Sequence, residues 1–301
     1  MKNVTLRQFR YFEALAKTGH FGHAAEISAI SQPALSMQIK ELERSVGTVL
    51  FERGSHGVRL TPFGETFATR VREILRAVDE LDDLARAAQG RLAGRLRLGV
   101  IPTIAPYILP SVIPELTRHF PDLDIHIRES LTQQLLLELG AGAIDAAIVA
   151  LPVSEPALEE VLLFSEPFVL VRPRSEAGLP LPDVERLREM RLLLLEEGHC
   201  FRDQALSFCN MSAPSARETL DASSLSTLVQ MVGAGLGVTL IPDMAVDVET
   251  RSADVAVTRF APPVPARRVG MVWRRTSPLS SQLTEIADLV RATAEPQHPS
   301  T

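Results

Sequence analysis

The chain has 301 residues, more than one typical domain of roughly 100 to 200, and its 46% hydrophobic content is enough for two or three buried cores. No apolar run approaches the roughly 18 residues of a membrane span, and Met1 to Arg7 does not lead into a secretion signal, so a soluble, cytoplasmic protein with no membrane partner is expected. A formal charge of −6 excludes a wholly basic nucleic-acid coat, but residues 1–60 carry eight Lys or Arg against five Asp or Glu, while the remainder carries 23 against 32.

In this mildly basic head, Leu6, Phe9, Phe12, Leu15 and Ala16 recur at helical spacing, and Gly19 stops the helix. Phe21 to Glu26 opens a short second helix, and Ser28-Ala29-Ile30 turns the chain into a third. Ser31 or Gln32 ahead of Pro33 marks its start, since a hydroxyl caps a helix and proline suits its first turn. Leu35, Ile39 and Leu42 fall on one face of it, Pro33, Met37, Lys40 and Arg44 on the other. Two short helices joined by a tight turn, the second with a small, polar and basic outer face, suit the major groove of double-stranded DNA. An ordinary helical hairpin is the plainer reading. On the first reading residues 1–60 are a winged helix-turn-helix domain with its motif at 21–40, and Gln32, Pro33, Ser36, Met37 and Lys40 are candidate DNA contacts. Extended pieces at Gly47–Arg53 and Gly57–Thr61 form the wing, where Arg53 and Arg59 are placed for phosphates, contacts that position without reading sequence.

Thr61-Pro62 begins a helix running to about residue 89 whose apolar residues, Phe67, Val71, Ile74, Val78, Leu81 and Ala85, repeat as a heptad seam. Such a helix spans about 40 Å and needs a partner for its seam. The same helix of a second subunit provides one, so a homodimer on a roughly two-fold-symmetric DNA site follows; packing on its own chain is the alternative.

Gln89 to Gly94 is a polar connector, after which strand patterns at 95–101, 124–130 and 144–151 alternate with helical ones at 106–119 and 132–139. The alternation restarts at 167–172 and 192–196, continues through a helix at Cys200, a helix at 223–235 and a strand at 238–242, and closes with a strand at 267–273 and a helix at 278–294. These are βαβ units with a mostly parallel sheet, in two α/β subdomains, 92–163 with 267–301 and 164–266, crossed by two passes of the chain. Thr103 and Thr132 stand at strand-to-helix corners, where hydroxyls cap helices or hold a small polar molecule.

Cys200 and Cys209 are too few for a disulfide scaffold, so a bond between them would be transient and sensory in a reducing cytosol. Cys200 follows Gly198 at the expected start of a helix, where free amides, His199 and Arg202 favour a thiolate, and Glu196 and Glu197 oppose it. If residues 200–209 form one helix, the rise separates the two by about 13.5 Å. A disulfide needs Cα atoms within about 7 Å, so oxidation of Cys200 to a sulfenic acid and attack by Cys209 would unwind that helix. Phe201, Ala205 and Phe208 cluster on the wheel and anchor the reduced form. Two small buried hydrophobes are the bland alternative.

Phe21 to Lys40, with Ala24-Ala25, Ser31-Gln32-Pro33-Ala34-Leu35-Ser36 and Ile39, followed by Leu42-Glu43 and Leu50-Phe51-Glu52-Arg53, resembles the winged helix-turn-helix of LysR-type transcriptional regulators. Glu197-Gly198-His199-Cys200, Arg202-Asp203-Gln204-Ala205 and Phe208-Cys209 resemble the sensing segment of the peroxide-responsive OxyR group of that family. Val100-Ile101-Pro102-Thr103, Thr132-Gln133-Gln134-Leu135-Leu136 and Gly235 to Pro242 are similar to the same group, so the likeness covers the chain to about Ala294. The resemblance implies a regulatory domain of two periplasmic-binding-protein-like subdomains, a homodimer that pairs into tetramers, and contact with RNA polymerase. It implies Cys200 as peroxidatic thiol and Cys209 as resolving thiol, with Thr103, Thr132, His199 and Asp203 organising hydrogen peroxide beside Cys200, and a cellular thiol system as reductant. It also implies an arginine from Arg267-Arg268 steadying the thiolate; alignment on Gly270 favours Arg267.

Other readings use the same residues differently. A LysR-type regulator with a small organic effector between the subdomains needs no reactive cysteine. A thiol peroxidase has no use for a DNA-binding head, and a solute-binding protein needs a signal peptide. His199, Cys200 and Cys209 supply at most three ligands, one short of a closed tetrahedral metal site. No enzymatic activity, cofactor or metal is therefore expected.

Overall fold

A computed structural model describes residues 4–54, 57–88, 93–182, 184–208, 221–262 and 264–294. The chain divides into two compact units, residues 1–85 and 86–301.

The first unit holds α1 (Leu6–Thr18), α2 (Phe21–Ile27), α3 (Gln32–Val46), β1 (Phe51–Gly54), β2 (Gly57–Leu60) and the start of α4 (Pro62–Ala88). Thr5 and Gln8 close a reciprocal capping box on α1, and Ser31 caps α3 by accepting from the Ala34 amide, with Pro33 in the first turn. Gly19 ends α1 at φ 63°, and its carbonyl accepts from the Val58 amide at 3.0 Å, tying the wing to the helix end. Leu35, Ile39 and Leu42 of α3 are buried with Phe9, Phe12 and Leu15 of α1, as their spacing predicts. The heptad seam of α4 divides: Val71 is buried and Phe67 packs on this same core, whereas Ile74 and Leu81 are 42% and 62% exposed. Packing on its own chain thus takes the first part of the seam and leaves the later part open.

The second unit contains β3 (Gly94–Val100), α5 (Ala105–His119), β4 (Leu123–Glu129), α6 (Thr132–Gly140), β5 (Ala146–Leu151) and β6 (Leu158–Pro173). It continues through α7 (Val184–Glu189), β7 (Leu194–Leu195), α8 (Cys200–Phe208), β8 (Asp221–Ala222), α9 (Leu225–Gly233), β9 (Thr239–Pro242), α10 (Val246–Glu249), β10 (Val255–Arg259), β11 (Ala266–Arg274) and α11 (Ser280–Ala294). The main sheet runs β10-β6-β11-β5-β3-β4, with β9 also paired to β6. Only β3 with β4, β3 with β5 and β7 with β8 are parallel ladders among the described strands, which corrects the expectation of a mostly parallel sheet. Antiparallel pairing enters because β11 returns from the second subdomain between β5 and β6, and because β9 and β10 flank β6 as antiparallel neighbours.

Two cores lie along β6. Leu163 and Phe164 belong to the first, with Leu98, Ile148, Met271, Trp273 and Leu283; Phe168 to Val171 belong to the second, with Leu195, Phe201, Leu228 and Leu240. The crossing therefore falls between Phe164 and Phe168, slightly later than the boundary at 163 and 164 read from the sequence. One 16-residue strand, rather than a loop and a short strand, joins the subdomains.

Candidate functional site

Three chain corners meet around Cys200. At the first, β3 ends and Ile101-Pro102-Thr103 leads into α5. Thr103 is buried but caps nothing: Ile104 is the N-cap residue and makes no side-chain cap bond. The Thr103 hydroxyl instead accepts from Arg267 Nη1 at 2.8 Å, and its carbonyl accepts from Nη2 at 2.8 Å. Because that hydroxyl already accepts from a cation, its own O–H remains to be donated. At the second corner β4 gives way to α6, whose N-cap Leu131 has no side-chain cap bond either. Thr132 Oγ1 is buried there and has no hydrogen-bond partner among the described residues. The capping interpretation of both threonines is thus set aside.

The third corner carries the thiol. β7 is followed by Glu196 to His199, and Gly198 adopts φ 96°, a left-handed backbone that favours glycine. A Cβ at that position would also stand 3.2 Å from Leu131 Cδ1. The turn delivers Cys200 as the first residue of α8, where the helix presents unpaired amides. Cys200 is a free, half-buried thiol that packs against the first core, whereas its neighbour Phe201 is buried in the second, edge-on to Phe168 at 5.0 Å. α8 thus straddles the seam between subdomains.

Thr103, Thr132, Gly198, His199 and Cys200 line one crevice with Ile101, Pro102 and Leu131, too narrow as it stands for a water-sized body. Arg267 lies behind it, 2% exposed, with its guanidinium carbon 5.4 Å from the centre of the Phe201 ring. Burial pulls this guanidinium below its ordinary value, while Glu166, then Cys200 and Tyr107, act in the opposite direction. Arg268 is exposed, so the buried member of the arginine pair is Arg267. Burial also pushes His199 down, against a smaller opposing pull from Glu196, and so toward its neutral form at neutral pH.

Arg202 is corrected. Its guanidinium is buried, donating to the Leu195 carbonyl at 2.7 Å and pairing with Asp221 at 2.9 Å, so it ties α8 to β7 and β8. The buried cation that Cys200 favours is instead Arg267. Asp203 is exposed on the first turn of α8, three residues along and so on the Cys200 side of the helix, outside the lining of the crevice. Phe201 and Ala205 are buried in the second core and Phe208 packs on it, edge-on to Phe260. Cys209 lies outside the described residues.

A wider cleft of about 390 Å³ adjoins the crevice and shares Pro102, Thr103, Leu131 and His199 with it. Across it the Tyr107 hydroxyl donates to Glu249 Oε1 at 2.6 Å and Ser226 donates to Glu249 Oε2 at 2.6 Å, so a side chain of α5 is bonded to α10. Burial and the Glu249 bond push the Tyr107 phenol well above its usual value. Pro106-Tyr107-Ile108-Leu109-Pro110 is among the segments similar to the OxyR group, but the sequence does not show that Tyr107 meets Glu249 and Ser226, which come from distant parts of the chain. Among the described residues no group of three or more His, Cys, Asp or Glu side chains is placed to hold a metal ion.

On the head, Gln32, Pro33, Met37 and Lys40 are exposed on the outer side of α3, Met37 at 61%, and Ser36 is half-buried. Arg59 is exposed on β2; Arg53 stands opposite Val58 on β1, and its side chain lies outside the described residues. No described helix is long and apolar enough to cross a membrane.

Two family models match the chain: "Bacterial regulatory helix-turn-helix protein, lysR family" over residues 6–65, and "LysR substrate binding domain" over residues 89–295. A Streptomyces viridosporus protein named "Probable hydrogen peroxide-inducible genes activator" is 43% identical over 96% of this chain and 94% of its own length. The "DNA-binding transcriptional dual regulator OxyR" of Escherichia coli K12 is 39% identical over 96% of this chain and 95% of its own. Among solved structures, a full-length OxyR variant from Pseudomonas aeruginosa is 38% identical with a TM-score of 0.75, covering 97% of this chain and 99% of that one.

Proposed function

The chain belongs to the LysR family of bacterial helix-turn-helix regulators, and on that premise we propose that it is a cytoplasmic, non-enzymatic transcription regulator that senses hydrogen peroxide through Cys200. What carries this reading is the crevice: a thiol at a helix N-terminus, one hydroxyl free to donate, a second hydroxyl without a partner, and a buried guanidinium behind them. Peroxide has two O–H donors and lone pairs on both oxygens, which suits Thr103 and Thr132. The Cys200 thiolate attacks one peroxide oxygen, the O–O bond breaks, and the leaving hydroxide takes a proton and departs as water, with the thiol left as sulfenic acid. Peroxide enters as the crevice walls part. Asp203, on the Cys200 side of α8, is placed to join the proton traffic at the rim.

In the second step the Cys209 thiolate attacks the Cys200 sulfur and hydroxide leaves, forming the disulfide. Residues 200–208 are helical, a rise of about 12 Å, whereas disulfide-linked Cα atoms lie within about 7 Å, so the step unwinds α8. A cellular dithiol returns both thiols. The reshaped surface changes how dimers, paired as tetramers through the regulatory units and joined by α4, hold a two-fold-symmetric DNA site and meet RNA polymerase. Gln32, Pro33, Ser36, Met37 and Lys40 face the groove in this reading, and Arg53 and Arg59 the phosphates.

The test is mass spectrometry of the peptide spanning Cys200 and Cys209 after about one equivalent of hydrogen peroxide is added to reduced protein. A loss of two hydrogens, absent when either cysteine is serine, is the expected result. Unreacted thiols after minutes would overturn it. The wider cleft favours a second reading, an organic effector bound between the subdomains; a Cys200→Ser protein whose response is intact would establish that one instead.

A further inference from the structure

Glu166 has no part in the chemistry above, yet it is 1% exposed in the middle of β6. Its Cα is the direct partner of Arg267 in the antiparallel β6–β11 ladder, so both side chains project from the same face at neighbouring positions. One carboxylate oxygen accepts from the Met244 amide at 2.9 Å, which fixes the group between β6 and the turn after β9. Arg267 is bonded to Thr103 and lies against Phe201, the residue next to Cys200. We propose that Glu166 is a positioning residue for Cys200: it shares the Arg267 guanidinium with the thiolate and sets how much of that positive charge the sulfur receives.

The groups acting on Arg267 from each packed element are few. Tyr107 on α5 is held protonated by burial and its bond to Glu249, so it brings no charge. His199, ahead of α8, is pushed toward neutrality by burial. The remaining two, Glu166 on β6 and Cys200 on α8, are the counter-charges that favour the cation. A carboxylate beside a cation weakens its pull on a nearby anion, and a charge within about 4–6 Å moves a neighbour's pKa by about one unit or more. Glu166 thereby draws on the charge that Arg267 presents to Cys200, and keeps the guanidinium seated under the crevice.

The inference rests on the assignment of Cys200 as the reactive thiol, but its test uses no peroxide. In full-length protein carrying Cys209→Ser, Cys200 is the single cysteine, and its ionisation is read from the pH dependence of iodoacetamide alkylation. Glu166→Gln should lower the titration midpoint by about one unit, raising the alkylation rate below the midpoint by about tenfold. Glu166→Asp, which keeps the charge, should stay near wild type. Glu166→Ala serves in place of Glu166→Gln if the amide variant does not fold, with the same expected direction. An unchanged or raised midpoint overturns the proposal. So does a fall of equal size when Arg267 is already Met, since the carboxylate would then act on the thiol directly. A Cys200 that titrates as expected but ignores peroxide would leave this inference standing and remove the sensing function.

Discussion

Replacing Arg267 by Met separates what this residue does for the fold from what it does for the thiol. Methionine fills much of the volume but removes the two bonds to Thr103, the contact with Phe201 and the positive charge facing Glu166. Each bond donated by a charged group is worth roughly 1.5–3 kcal/mol. The larger consequence is the loss of the positive charge next to buried Glu166 on the neighbouring strand, and removing one of two neighbouring buried charges costs about 3–5 kcal/mol in all. A domain of about 200 residues shifts by roughly 2–4 °C per kcal/mol, so the regulatory unit should melt about 6–20 °C lower by calorimetry. Adding Glu166→Leu removes that carboxylate as well and should recover part of the loss. Alkylation of Cys200 at fixed pH should remain slowed in both variants, because neither supplies a cation. A melting shift below about 2 °C in the single variant, or a double variant no more stable than the single, would refute the charge-pair reasoning.

The burial that depresses His199 carries a pH consequence. A base whose folded pKa lies below its unfolded value stabilises the fold above that unfolded value, near 6.5, and the contribution is lost as pH falls through the folded value. His199→Gln should therefore flatten the acid-side decline in melting temperature, and an unchanged profile would count against it. Gly198→Ala meets both a left-handed backbone and Leu131, so it should lower stability by about 1–2 kcal/mol and misplace Cys200, read as slower peroxide oxidation at unchanged DNA affinity. On α4, Leu81→Glu should weaken the dimer in sedimentation without altering the melting of the head, whereas Val71→Ala should lower the melting of the head by removing buried volume worth roughly 2 kcal/mol; the reverse pattern would place the dimer contact elsewhere. Arg59→Ala should weaken DNA binding about equally across sequences and reduce its salt slope by about one, as loss of a phosphate contact requires.

Local chemistry was legible wherever one element contains its own evidence. Ser31, Pro33 and the spacing of Leu35, Ile39 and Leu42 define α3 without tertiary information, and Gly198 ahead of Cys200 announces a helix start. The seam of α4 was legible as a period but not as a division of labour, since spacing cannot say that Val71 meets its own domain while Leu81 does not. β6 was half lost because Glu159, Glu160 and Glu166 interrupt its apolar run, although the strand is continuous. Arg202 looked like a neighbour of the thiol because it is two residues away; Asp221, which claims it, comes from a strand whose pairing with β7 has no local signal. Glu166 did leave a trace, a lone acid in the run from Leu163 to Val171, matched by the arginine pair before the run from Val269 to Trp273. Only the register of β6 against β11 turns those two anomalies into one pair.

That register also explains why chemistry at a small thiol can reach a whole subdomain. Arg267 is bonded to Thr103 in the first subdomain, lies against Phe201 of α8 in the second, and stands opposite Glu166 on the strand that crosses between them. In the proposed reduced state, Glu166 and Cys200 both favour the Arg267 cation. In the proposed oxidation, sulfenic acid formation would remove the thiolate charge and unwinding of α8 would carry off the Phe201 ring, so two of the interactions holding a buried cation at the seam would be withdrawn. A buried charge that loses partners is costly, and the cost falls on the contacts between subdomains. The Tyr107–Glu249–Ser226 bonds are then left to hold the cleft closed. On the proposed mechanism the oxidised arrangement would be favoured once the gain from the disulfide exceeds what those remaining bonds retain, which would make their strength, rather than the reactivity of the thiol, the determinant of how far the subdomains rearrange.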